Sequence, residues 1–172
     1  MSRGFVKEED QETVPIVPPR PALPEGVVNY VTCVGMNELL AEKESLISEK
    51  DNLDSTNENE KRIAVNYINA KLQSLNKRIA SARAIDLNDQ PKDEIRFGAW
   101  VTLEIDKPRK TQKYQIVGID EADISKGKIS FISPIAKLLN RKKVGDKVTL
   151  KLAKGERVFK VIEICYSPDL IR

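Results

Sequence analysis

The chain has 172 residues, of which 40% are apolar, 5% aromatic and 32% charged, enough for one modest core with a long solvated element beside it. Its net charge of +3 is too small to imply a nucleic-acid coat, and the absence of histidine removes Ser-His and Cys-His nucleophiles, helical zinc motifs and any imidazole base, which argues against a self-sufficient hydrolase. Cys33 and Cys165 lie far apart without CxxC spacing and read as plain thiols, not as a zinc site or a disulfide framework.

The amino-terminal stretch has no apolar run of signal-peptide length, and nothing later approaches the ~20 apolar residues of a membrane span. The expectation is a monomeric, cytoplasmic protein without membrane contact. Residues 1–32 read as a proline-rich extended tail. Prolines at 15, 18, 19, 21 and 24 follow an acidic cluster of Glu8, Glu9, Asp10 and Glu12, and proline lacks an amide donor and restricts its predecessor. That composition favours a flexible segment. An ordered strap is the alternative, because Phe5, Val14, Ile16 and Val17 offer apolar anchors.

Residues 33–88 read as an antiparallel helical hairpin, or coiled coil. Met36, Leu39, Leu46, Ile47 and Leu53 recur at three- and four-residue steps, as do Ile68, Leu72, Leu75 and Ile79. The spacing predicts that Leu46 or Ile47 meets Leu72 or Leu75 across the seam. Between the stripes lies Asp54-Ser55-Thr56-Asn57-Glu58-Asn59, whose small polar residues compete with the helix and cap its ends. Ser55 with Glu58, and Asn57 with Glu60, each resemble a capping pair. The turn is placed within 54–61, and arms of about 23 residues make a rod about 35 Å long. Its tip carries carboxylates, Asp54 and Glu58, whose structural role would be to favour the first turn through the helix dipole.

A linker of Leu87-Asn88-Asp89-Gln90-Pro91-Lys92-Asp93 follows, and the period then changes to two. Alternation predicts five short strands, around Ala99–Ile105, Tyr114–Ile119, Ile129–Phe131, Val148–Leu152 and Phe159–Cys165. Ser133-Pro134 opens one short helix, with serine as N-cap and proline at the first helical position. Residues 93–168 are thus a small domain with a twisted antiparallel sheet over one helix, and the chain as a whole is α+β. Phe97, Trp100 and Tyr114 are assigned to its core.

Phe97-Gly98-Ala99-Trp100-Val101, the run Ile116 to Asp123, Ser130 to Leu139, and Val144-Gly145-Asp146 resemble, in order and spacing, the carboxy-terminal domain of the bacterial Gre transcript-cleavage factors. The preceding hairpin has that family's layout. The resemblance implies an FKBP-like domain that docks on the rim of the secondary channel of bacterial RNA polymerase while the hairpin enters the channel. It implies partner-binding roles for Asp120, Glu121, Ser133 and Pro134, and contact of the tip with nascent RNA. In that family two tip acids help hold a magnesium ion in the polymerase active site. Here that part would fall to Asp54 and Glu58, with no metal or cofactor of the chain's own and no enzyme activity of its own.

Two departures bear on this. The family tip has the form Asp-x-x-Glu-Asn, whereas here one extra residue separates Asp54 from Glu58-Asn59. The hairpin is also shorter by about two helical turns per arm, or about 10 Å. The reading is therefore an elongation regulator with weak or absent cleavage. The alternatives are a full cleavage-stimulating factor, a shortened-hairpin competitor of the nucleoside diphosphate kinase regulator type and, from another class, a peptidyl-prolyl isomerase.

Overall fold

Thr32 marks the point where extended chain becomes helix. Its Oγ1 accepts from Gly35 N at 3.0 Å, the hydrogen bond of an N-cap, and α1 (Cys33–Asp51) follows. Asn57 serves α2 (Glu58–Ser81) in the same way, its side chain accepting from Asn59 N and Glu60 N at 3.0 and 3.3 Å. The computed structural model describes residues 15–54, 56–105, 110–153 and 155–166, so Ser55 of the other expected capping pair lies outside the described residues.

The two helices pack through a narrow seam. Leu39 and Leu46 of α1, and Ile68 and Leu75 of α2, are spaced by seven residues on each helix and are all buried, with Met36, Leu72 and Ile79 packed partly against them. Of the side chains expected in the seam, Ile47 is 41% exposed, because a seam between only two helices covers a strip one or two residues wide. Leu75→Ala should therefore cost about 2 to 5 kcal/mol, and Leu72→Ala distinctly less, by the midpoint of chemical denaturation. Equal costs would mean that the seam is misassigned.

Two elements went unanticipated. Residues Asn29–Thr32 form β1 and Ala82–Ile85 form β2, paired in parallel from Asn29↔Ala82 to Thr32↔Ile85. The expected tail of 1–32 therefore ends in a strand with Val31 fully buried, and the expected hairpin of 33–88 loses its last residues to the same pairing. The side chain of Asn29 joins the end of α2, its Nδ2 donating to Arg78 O and Ser81 Oγ, both at 3.1 Å, while Ser81 Oγ itself donates to Arg78 O at 3.0 Å. The rest of the described tail, from Pro15, is extended chain that meets the helices at Arg20 and Pro21; Ile16, an expected anchor, is 93% exposed, and Phe5 and Val14 lie outside the described residues.

The remaining chain forms a five-stranded sheet. Its strands are β3 (Trp100–Ile105), β4 (Lys110–Val117), β5 (Lys128–Ser130), β6 (Lys147–Leu152) and β7 (Gly155–Cys165), in the order β5-β4-β3-β7-β6. It is not wholly antiparallel, because β5 runs parallel to β4 after the chain loops back through a 3-10 turn at Ile124–Lys126. The helix α3 (Pro134–Leu139) covers one face, burying Ala136 and Leu139 with Val101, Leu103 and Val161.

The β3 alternation also corrects one core assignment. Val101, Leu103 and Ile105 point into the core, so Trp100 lies on the opposite face, paired with Gln115 and Cys165 and only half-buried. Tyr114 does pack against the core, and so does Leu87 of the linker, above Gly98. Gly98 has φ +85°, and a Cβ there would fall 2.1 Å from Leu87 Cδ2, so only glycine lets the linker close on the domain.

Candidate docking surface and rod tip

The loop after β4 was expected to face a partner or solvent, and its two first acids instead face inward. The side chain of Asp120 is 5% exposed and lies between two guanidinium groups, with Arg20 Nε 3.2 Å from Oδ1 and Arg78 Nε 3.2 Å from Oδ2. Arg20 also donates both terminal nitrogens to the two carboxylate oxygens of Glu42 in α1, each at 2.9 Å. That bidentate bond raises the pKa of Arg20 and holds Glu42 below the usual carboxylate range. Arg78 Nη2 donates to the carbonyl of Pro21. Two arginines and two carboxylates thus join strap, both helices and domain at one point with balanced charge.

Glu121 is 6% exposed and accepts from Thr32 N at 2.9 Å, from Gly118 N at 3.3 Å and from Thr32 Oγ1. The residue that caps α1 is therefore itself held by a carboxylate from the domain, placed where the helix dipole favours a negative charge. Gly35 makes the approach possible, since a Cβ there would lie 2.1 Å from Glu121 Cδ. Asp120 and Glu121 are accordingly joints within the molecule, and both are unavailable to a partner while the rod base sits on them. The third acid, Asp123, remains outside, capping the 3-10 turn through Ser125 N at 3.0 Å.

Ser133 and Pro134 have the local structure that their order predicts. Ser133 Oγ accepts from Ala136 N at 3.3 Å, and Pro134 occupies the first turn of α3 with its ring exposed. Lys137, Leu138, Asn140 and Arg141 are exposed beside it, Leu138 at 39%. Arg141 has φ +65°, and its amide donates to Ile95 O at 2.8 Å, which ends the helix and pins it to the domain.

Adjoining this surface is a cleft of about 380 Å³ whose wall includes Tyr30, Phe97, Phe131, Ala136 and Lys137. The rings of Tyr30, Phe97 and Phe131 meet one another with centroids 5.7 to 5.8 Å apart, a geometry favoured by the ring quadrupoles. Phe97, assigned to the core from its strand spacing, is instead half-buried in the wall of this cleft, beside Phe131. The cleft was not visible in the sequence, because Tyr30 comes from the segment read as a tail.

At the other end of the molecule Asp54, Glu58 and Glu60 are exposed around the first turn of α2. Among the described residues no three metal-ligating side chains converge.

Comparison with known proteins agrees with this geometry for the sheet domain. The family described as "Transcription elongation factor, GreA/GreB, C-term" matches residues 90–166. Transcription elongation factor GreA of Pelobacter propionicus is 39% identical over 101 residues, covering 59% of this chain and 64% of that protein. GreA of Trichlorobacter lovleyi is 40% identical over the same length, with the same coverage. The chain thus spans less than two thirds of the length of these relatives. The crystal structure of GreA factor homolog 1 from Thermus thermophilus aligns with 79% of this chain and 97% of its own at 25% identity and a TM-score of 0.39. Over residues 90–166 the chain is thus similar to the carboxy-terminal domain of the GreA/GreB elongation factors.

Proposed function

We propose that this chain regulates transcript elongation by binding bacterial RNA polymerase as a monomer. In this reading the sheet domain, taken as FKBP-like, docks on the rim of the secondary channel, and the helical pair enters it as a coiled-coil rod. The observation that carries the reading is the GreA/GreB match over residues 90–166, which spans the exposed Pro134 surface. The rod supports it physically. With 19 and 24 residues, α1 and α2 extend about 28 and 36 Å and end in exposed acids. The chain has no catalysis, metal or cofactor of its own in this reading, and any magnesium near Asp54 and Glu58 belongs to the polymerase.

Asp120→Arg is unsuitable as a docking test, since it places a third cation between Arg20 and Arg78. Pro134→Ala combined with Leu138→Ala alters only exposed side chains. It should weaken polymerase binding about tenfold, or 1.4 kcal/mol, while the thermal unfolding curve stays in place. Undiminished binding in a titration against polymerase would remove this surface from the interface.

The aromatic cleft between α3 and the rod base favours one second reading, a prolyl-peptide isomerase. Acceleration of prolyl isomerisation in a model peptide, lost in Phe131→Ala, would establish it.

A further inference from the structure

The strap before β1 spans the rod and the docking domain, and its position along the rod is the informative point. Glu121 and Thr32 join the two units at the base of α1, and Arg78 reaches Asp120 from near the end of α2. Contacts at a pivot fix the position of a rod but leave its angle weakly determined. Beyond them, Lys128 of β5 lies 3.9 Å from Glu38 of α1, a long and partly exposed pair, and Arg20 reaches further, tying Asp120 of the domain to Glu42 of α1 through a bidentate bond. Glu42 lies ten residues beyond Thr32, about 15 Å along the helix.

The strap is suited to such a brace. Its prolines restrict the backbone, so little conformational freedom is lost when it is held extended. Arg78 fixes it again through the Pro21 carbonyl, and Val27 N donates to Pro24 O at 3.2 Å, closing the turn into β1. The lever explains why angle matters. A change of about 10° at the base moves the end of a rod of about 36 Å by about 6 Å, far beyond the reach of a direct contact.

We propose that residues 15–28 form a staple that sets the angle between rod and docking domain, with Arg20 as its positioning residue. The functional consequence rests on the reading that the rod enters the polymerase channel. A staple of this kind orients the tip before binding and so lowers the ordering cost of insertion. Losing Arg20 leaves Asp120 paired with Arg78 and leaves Glu42 at the surface, so release of the brace keeps both hydrophobic cores intact.

The test uses the full chain with Cys33 and Cys165 replaced by serine and spin labels at the exposed Glu60→Cys and Lys147→Cys, read as a distance distribution. The parent should give one narrow distribution. Arg20→Ala should broaden it about twofold without displacing the melting transition, and Arg20→Lys, which keeps one charge but no bidentate fork, should fall between. Glu42→Gln removes the outer anchor without touching Asp120 and should broaden it as well, which keeps the proposal testable even where Arg20→Ala fails to fold. Unchanged widths in Arg20→Ala, or in Glu42→Gln where Arg20→Ala does not fold, overturn the staple. The measurement is made without polymerase, so it judges the staple independently of channel binding. Loss of polymerase affinity in the broadened variants is the further result expected if both are right.

Discussion

Glu121→Ala is expected to lower the melting temperature by about 10 °C. The carboxylate accepts from two backbone amides and from the Thr32 hydroxyl in a site closed to water. Hydrogen bonds to a charged group contribute about 1.5 to 3 kcal/mol each, and deletion also leaves buried donors without partners. A loss of about 3 to 5 kcal/mol follows, at about 2 to 4 °C per kcal/mol for a chain of this size. Gly35→Ala attacks the same joint from the helix side, because its Cβ would fall 2.1 Å from Glu121 Cδ, and it should be destabilising in the same range. Thermal unfolding by circular dichroism gives the size of the effect, and hydrogen exchange at Thr32 and Gly118 gives its location. A melting temperature unchanged in Glu121→Ala would refute the joint.

If the proposed function holds, excision of residues 45–69, which removes the outer half of the rod, should abolish the effect on elongation, whereas Asp54→Ala with Glu58→Ala should leave most of it. The first change takes away the volume that would occupy the channel, and the sheet domain keeps its own core of Val101, Leu103, Leu139 and Val161. The second removes only exposed charges whose attraction at a distance is screened by water and salt. A metal site tolerates errors of about 0.2 Å in ligand distance. On the proposed reading, the altered spacing of the tip and a reach shorter by about 10 Å would place Asp54 and Glu58 well outside that tolerance. Pause and run-off rates measure the first outcome, and shortening of backtracked RNA in a stalled complex measures the second. Strong cleavage that vanishes in the Asp54/Glu58 double variant would make the chain a full cleavage-stimulating factor and overturn this prediction.

What could be read from the sequence was whatever depends on neighbours in the chain. The seven-residue steps of Leu39, Leu46, Ile68 and Leu75, the Asn57 cap and the Ser133-Pro134 helix start are local patterns, each enforced by backbone hydrogen bonding within a few residues. The alternation of Ala99, Val101 and Leu103 even contained the true place of Trp100, since a period of two sends every second side chain to the other face. The joint between rod and domain was not readable in this way. Asn29 bonds the end of α2 from 49 positions away, Glu121 holds the α1 cap from 89 positions away and Arg20 reaches Asp120 across 100. A buried carboxylate and a solvated one look alike in a loop such as Gly118–Asp123. Which of them is drawn inward is decided only by the donors that folding brings against it, here two arginines for Asp120 and the amide of a capped helix for Glu121.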